Sequence, residues 1–392
     1  MRLAAVALPD RALDRLVRAC DLPFALAAAD ATLADGELVR LESRRGSPIG
    51  LAIVDRVAEG WRLMTRAHEP WTSLGEAWVD ARLDACLAWR TATGLVGPDA
   101  TFRLAHGAGD ALPGLYADVY GAFAVVSALT PALVPVAGAL ARRLVARGLA
   151  DGAVVKHRGR GAAAQQAEVV VEVAGTAPPD RLVVREGPWR FEVHLARGVN
   201  VGLFGDMRAE RLRLAGLSAG RRVLNLFAYT GTLSVAAATG GASHVTSVDL
   251  SEGVLGWARD NAALNDVPAE RFRTVAADAR RFVASTAAIG ESFDLVLVDP
   301  PSFSTARDAE FAIDRDYPGL VTEVCRLVVP AGLLWLASNT RGFSLVGAAQ
   351  AGTAAAGRRA QVVSVGLLPP DHPTELADAD ARYLQTCLLR LT

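Results

Sequence analysis

The chain has 392 residues, 51% hydrophobic and 21% charged, enough to bury more than one core and to divide into two or three domains. Its net charge of −1 supplies no general basic field, so any nucleic-acid contact must come from a local patch. No charge-free apolar stretch is long enough for a membrane span, and the N-terminus lacks the charged-then-apolar order of a signal peptide. Cys20, Cys86, Cys325 and Cys387 lack the paired spacing of a metal site, so reduced thiols, a cytoplasmic location and no bound metal are expected.

In chain order, residues from about Gly36 to Thr65 alternate polar and apolar between turn breaks at Arg45-Gly46-Ser47-Pro48 and Glu59-Gly60. This predicts a small antiparallel sheet or barrel within residues 1–70. A helix is expected over Trp71 to Gly94. Strand, turn and strand follow over Phe102 to Ala128, with Asp110-Ala111-Leu112-Pro113-Gly114 as the breaker and Val119 to Val126 as one resumed run. Ala132 to Leu149 returns to helix, and Val169 to Val173 and Phe191 to Val193 are further strands, giving a central α+β domain over 71–180. Lys156 is the only lysine, and Lys156-His157-Arg158-Gly159-Arg160-Gly161 is the best candidate for a phosphate-contacting loop, a solvated hairpin tip being the alternative.

After Pro178-Pro179, residues 181–392 alternate strand and helix as a Rossmann-like α/β domain does. The apolar strand at Val223 runs into Asn225-Leu226-Phe227-Ala228-Tyr229-Thr230-Gly231, where Gly231 permits close approach of a ligand, and Leu233 to Ala238 has the composition of a buried helix. A second strand, Val245 to Val248, ends at Asp249-Leu250, where a carboxylate can accept both hydroxyls of a ribose. The turn has one glycine at its tip, so a dinucleotide's phosphate cradle is missing and a smaller nucleoside cofactor is favoured. A third strand, Phe272 to Val275, leads to Asp278-Ala279, where carboxylate and backbone can meet an adenine ring; Asp249 and Asp278 as simple helix N-caps are the alternative. The fourth, Phe293 to Val298, is a continuous apolar run of the kind buried on both faces, and it ends at Asp299-Pro300-Pro301-Ser302-Phe303.

The stretch His106 to Gly121, Gly202-Leu203-Phe204-Gly205-Asp206-Met207-Arg208, the Asn225 turn and Asp299-Pro300-Pro301-Ser302-Phe303 together resemble the class I methyltransferases that modify 23S ribosomal RNA. The resemblance implies a PUA-like N-terminal β domain, a central hairpin-containing domain and a Rossmann-like methyltransferase domain. It also implies S-adenosylmethionine as cofactor, 23S ribosomal RNA or a large-subunit assembly intermediate as partner, and a monomer or homodimer. Cofactor contacts are implied for Phe204, Asp206 and Arg208, beside Asn225, Phe227, Tyr229, Thr230, Gly231, Asp249, Leu250, Asp278, Ala279 and Asp299. The N-terminal residues match only in strand pattern, and the His-Pro-Trp element of the family is absent.

The acceptor atom turns on one position. Cytosine C5 needs a cysteine to add at C6, and cytosine-specific members carry it in a Ser-Cys-Ser element after the fifth strand. Here that stretch reads Ser338-Asn339-Thr340-Arg341-Gly342-Phe343, which is similar to the Ser-Asn-Asn-Lys-Arg-Gly-Phe of the guanine-N7 members. Asp299 and Asn339 are therefore the expected catalytic pair, with Pro300, Pro301, Phe303, Arg341, Lys156, Arg158 and Arg160 on the substrate. Cys325, with Val321, Val324 and Val328 on one face of a helix expected over Leu320 to Val328, reads as a core thiol. A cytosine-C5 enzyme, a small-molecule methyltransferase and a non-catalytic RNA-binding assembly factor are the alternatives.

Overall fold

The computed structural model describes residues 3–9, 20–24, 32–97, 99–157, 170–198, 200–301, 303–306, 309–376, 378 and 381–392, with only the backbone at Asp21, 303–306 and 309–311. Contacts divide the chain into two compact units. One comprises Met1–Gly187, Val193–Val201 and Pro370–Ala381, the other Pro188–Glu192, Gly202–Pro369 and Arg382–Thr392.

Among the described residues the first unit carries two five-stranded sheets. One runs in the order Ala5–Leu8, Leu38–Ser43, Pro48–Asp55, Gly60–Leu63, Asp21–Pro23. It is mixed, not purely antiparallel as expected, because Ala5–Leu8 lies parallel to Leu38–Ser43. Alternation in Leu38–Ser43 turns Val39 and Leu41 inward onto Leu8, Leu22, Val54 and Trp61.

The other sheet orders Val170–Gly175, Gly152–His157, Phe123–Ala128, Leu115–Tyr120, Thr101–His106, with helices Glu76–Ala92 and Val134–Ala146 contributing to its core. The single run expected over Val119 to Val126 is in fact two strands. Tyr120 pairs with Phe123 across a two-residue hairpin, and Gly121 takes φ +60° at its first position.

The expected continuous domain 181–392 is also corrected, since Pro370–Ala381 belongs to the first unit. Trp89 Nε1 donates to the Pro370 carbonyl at 2.8 Å, Arg90 to that of Asp371 at 2.8 Å, and the Arg103 N–H to the Asp371 carboxylate at 2.8 Å. Arg90 also forks onto Asp110 at 2.6 and 2.7 Å, so a fully buried guanidinium has charge and hydrogen bonds answered together.

In the second unit the sheet strands are β1 Arg222–Leu226, β2 His244–Asp249, β3 Phe272–Ala276, β4 Phe293–Val298, β5 Val328–Ser338, β6 Ala360–Gly366 and β7 Gln385–Leu391. The helices are α1 Arg208–Leu217, α2 Thr232–Thr239, α3 Glu252–Leu264, α4 Ala279–Ala288, α5 Ile313–Val324 and α6 Leu345–Ala355. Strand order is β3-β2-β1-β4-β5-β7-β6, with the first five parallel and β7 antiparallel to both neighbours. The order reverses at β1, which opens a crevice above its C-terminal end. Five of the six residues of β4 are buried, as an interior parallel strand requires. Small side chains let α2 bury all but its last residue.

The helix expected over Leu320 to Val328 is displaced. It ends at Val324, Cys325 is its C-cap, and Val328 already opens β5.

A buried carboxylate ties α1 to the far side of this sheet. Glu210 is 2% exposed and accepts from Trp335 Nε1 at 2.8 Å and from Thr386 Oγ1 at 2.9 Å. Replacing Trp335 with Phe leaves one carboxylate oxygen without its donor, and we expect denaturant unfolding to show a loss of about 1–3 kcal/mol.

Candidate cofactor and substrate site

The turn after β1 is more constrained than its single glycine implies. Phe227, Tyr229 and Gly231 all take left-handed backbone, at φ +59°, +49° and +72°. Only the glycine does so freely; the two aromatic residues store of order 1–3 kcal/mol each and persist because the surroundings over-determine them. Ala228 N–H donates to the Val248 carbonyl at 3.0 Å, and Tyr229 N–H to Asp249 Oδ2 at 3.0 Å. Thr230 Oγ1 donates to the Gly202 carbonyl at 2.6 Å, and Asn261 Nδ2 to the Thr230 carbonyl at 2.9 Å. A Cβ on Gly231 would come within 2.7 Å of the Ala258 Cβ, so packing as well as φ demands glycine there.

Two of the expected contacts turn inward. Asn225 is 1% exposed with its amide on Ser234 Oγ at 2.8 Å, and Thr230 is fully buried. Their side chains link β1 to α2 and to Gly202, while Asn225 Oδ1 is buried without a hydrogen-bond partner. Ala279, 4% exposed, opens α4 and offers its backbone.

Asp249 and Asp278 part company on the N-cap alternative. Asp278 is the N-cap of α4, its Oδ1 accepting from the Arg281 N–H at 3.0 Å. Asp249 is not a cap, since Ser251 caps α3; its two oxygens accept from the Tyr229 and Ser251 N–H groups at 3.0 and 3.1 Å. Beside it Leu250 is 51% exposed at the end of β2.

Phe204 lies 42% exposed, with its ring 5.3 Å from that of Tyr229, which is 6.4 Å from Trp257. Burial, then the Asp249 carboxylate, raises the Tyr229 phenol above its ordinary pKa. Arg208 is 8% exposed at the start of α1. Asp206 accepts a 2.8 Å hydrogen bond from the hydroxyl of Tyr383, a residue that sequence reasoning missed. No local signal could reveal it, because β7 brings it in from 177 positions away.

Asp299 ends the segment after β4, recessed but partly accessible, with Pro300 buried and Pro301 exposed. Desolvation, then the charge of Asp206, pushes its carboxyl up to about 7. Asn339 and Arg341 are exposed beyond the end of β5, on the same edge of the sheet. The side chain of Phe303 lies outside the described residues, as do Arg158 and Arg160. Lys156 corrects an expectation: it is 1% exposed and its ammonium donates to the Gly198 carbonyl at 3.0 Å, so it is not offered to a phosphate. Its place in a β-strand, facing inward, decides this.

A model of the S-adenosylmethionine-dependent methyltransferase family matches residues 103–376. The chain belongs to that family. S-adenosylmethionine is accordingly its cofactor and methyl transfer its reaction. Among similar proteins, a Deinococcus radiodurans protein named ribosomal RNA large subunit methyltransferase is 33% identical over 369 residues, covering 91% of this chain and 89% of that one. Ribosomal RNA large subunit methyltransferase K of Neisseria meningitidis serogroup B is 39% identical over 168 residues, 42% of this chain and 48% of its own length. The chain thus spans about half of that relative. The fold is shared with SMU.776, a methyltransferase solved with S-adenosylhomocysteine, at a TM-score of 0.87 and 22% identity over 99% of this chain and 100% of that one.

Two outcomes are expected at this crevice. Asp249→Ala removes acceptors from two backbone N–H groups, so unfolding should show a loss of about 1–3 kcal/mol and calorimetry a roughly tenfold or greater loss of S-adenosylmethionine affinity. Unchanged affinity in the folded variant would sink the cofactor placement.

Asp299 gives a pH signature. Its folded pKa of about 7 lies above the ordinary 3.8, so between those values the unfolded chain releases a proton that the folded chain keeps. Ligand-free stability should therefore fall as pH rises from about 4 to about 7, by at most about 4 kcal/mol before solvent screening. Asp299→Asn should abolish that component of the slope in thermal melts.

Proposed function

We propose that the protein methylates a base of 23S ribosomal RNA in the cytoplasm, and that the acceptor is guanine N7. The observation that carries the choice of RNA is the likeness to the Deinococcus radiodurans protein along nearly the whole of both chains. A non-catalytic assembly factor or a small-molecule enzyme would not call for it.

The crevice fits the cofactor in its chemistry. Asp249 lies where a ribose would present two hydroxyls, and Leu250 and the α4 backbone at Ala279 flank an adenine. Asp278 keeps a second oxygen for the adenine amino group after capping α4. Phe204 and Tyr229 supply ring faces, and Asp206 and Asp299 supply negative charge toward the positively charged methionine part. When bound, S-adenosylmethionine provides an electrophilic methyl group.

The acceptor atom rests on what stands at the end of β5. Asn339 is exposed there, where cytosine chemistry needs a thiol. All four cysteines are buried, and burial pushes the Cys325 thiol up to about 11, the opposite of an activated nucleophile. Guanine N7 already presents a lone pair, so Asp299 and Asn339 need only orient the base, with Pro300 and Pro301 as its wall and Arg341 at its rim. Phe303 is assigned to the base face from sequence alone.

Ribosomal RNA from a strain lacking the gene, compared with its parent, should lack one 7-methylguanosine, detected as loss of a borohydride- and aniline-sensitive cleavage. Cys325→Ser should leave turnover nearly intact, while Asn339→Ala should cost about 2–3 kcal/mol of transition-state stabilisation. Appearance of 5-methylcytidine as the product, or trapping of 5-fluorocytosine RNA on Cys325, would overturn the guanine reading.

A further inference from the structure

The C-terminal strand delivers a residue to the crevice that neither the motifs nor the family resemblance assigns. β7 runs antiparallel to β5, with Gln385 opposite Ser338, so the residues just before β7 lie on the edge where β5 ends and Asn339 begins. Tyr383 is two residues before that strand, and its hydroxyl donates to Asp206 Oδ2 at 2.8 Å.

Asp206 precedes α1 in the short helical turn Gly205–Met207, and its charge bears on Asp299. Tyr317 of α5 donates to the Ala337 carbonyl at 2.9 Å, and burial, then the charge of Asp299, raises its phenol above the ordinary pKa. The charge of Asp206 thus reaches Asp299 at the end of β4, and the Tyr383 hydroxyl holds one carboxylate of the pair. Such a pair is unfavourable alone and becomes favourable when a cation enters its field.

We propose that Tyr383 is a positioning residue for the cofactor: by fixing the Asp206 carboxylate toward Asp299 it makes a two-carboxylate field that favours the cationic S-adenosylmethionine over its neutral-sulfur product, S-adenosylhomocysteine. The product has lost the sulfonium charge and so gains less from this field, which favours its release after transfer. This rests on the cofactor placement above. Binding S-adenosylmethionine should also favour ionised Asp299, so affinity should rise with pH toward about 7 and then level.

Tyr383→Phe keeps the ring and removes only the donor. Calorimetry with both ligands from pH 5.5 to 8.5 should show S-adenosylmethionine affinity reduced about tenfold, S-adenosylhomocysteine affinity changed less than threefold, and the pH midpoint lowered as Asp206 is released from Asp299. Equal losses for the two ligands with an unmoved midpoint would mean a structural role and overturn the proposal. Asp206→Asn should reproduce the loss of discrimination, and adding Tyr383→Phe to it should have no further effect. If Tyr383→Phe proves unstable in thermal melts, Asp206→Asn decides alone, and unchanged discrimination there overturns the proposal. Failure of the cofactor placement itself would instead appear as undiminished binding in Asp249→Ala.

Discussion

The left-handed turn between β1 and α2 is the constraint on which the crevice proposed for the cofactor depends. Two aromatic residues held at positive φ are unfavourable in an isolated peptide, and here three neighbouring backbone groups are answered from other elements. The Asp249 carboxylate receives the Tyr229 N–H, the Val248 carbonyl receives that of Ala228, and Asn261 of α3 holds the Thr230 carbonyl. Asp249 therefore has a structural duty before any ligand arrives. The carboxylate proposed for the ribose is already fixed by the loop it supports, which is the preorganisation that binding rewards.

The same crevice shows how a fold sets the ionisation of its acids. Asp249, Asp278 and Asp299 all follow strand ends, yet their surroundings differ. Asp249 and Asp278 accept backbone N–H groups. Asp299 is desolvated and faces the charge of Asp206, which moves its carboxyl toward neutrality. A row of similar residues in the sequence becomes a set of chemically distinct groups, and it is burial and neighbouring charge that separate them.

Buried charge in the first unit follows the opposite logic. Arg90 and Lys156 are almost completely enclosed, but their donors are used on Asp110, the Asp371 carbonyl and the Gly198 carbonyl. Cations so committed serve the fold and are not offered to a phosphate. Sequence clustering of basic residues does not distinguish these cases, because strand alternation sends neighbours to opposite faces.

The sequence by itself determined the α/β class, the strand-turn-helix at Asn225 to Gly231, the buried strand Phe293–Val298 and the order of the strand-end aspartates. Each is written in local periodicity, turn chemistry and run length, which act between residues close in the chain. It also placed Asn339 after β5, where the absence of cysteine bears on the chemistry. Only the tertiary structure decided that Phe227 and Tyr229 join Gly231 in left-handed backbone, that Asn225 and Thr230 face inward, and that Lys156 is buried. It alone returned Pro370–Ala381 to the first unit and brought Tyr383 onto Asp206. These depend on hydrogen bonds and packing between residues far apart in the chain, and the antiparallel course of β7 creates proximity that no local pattern encodes.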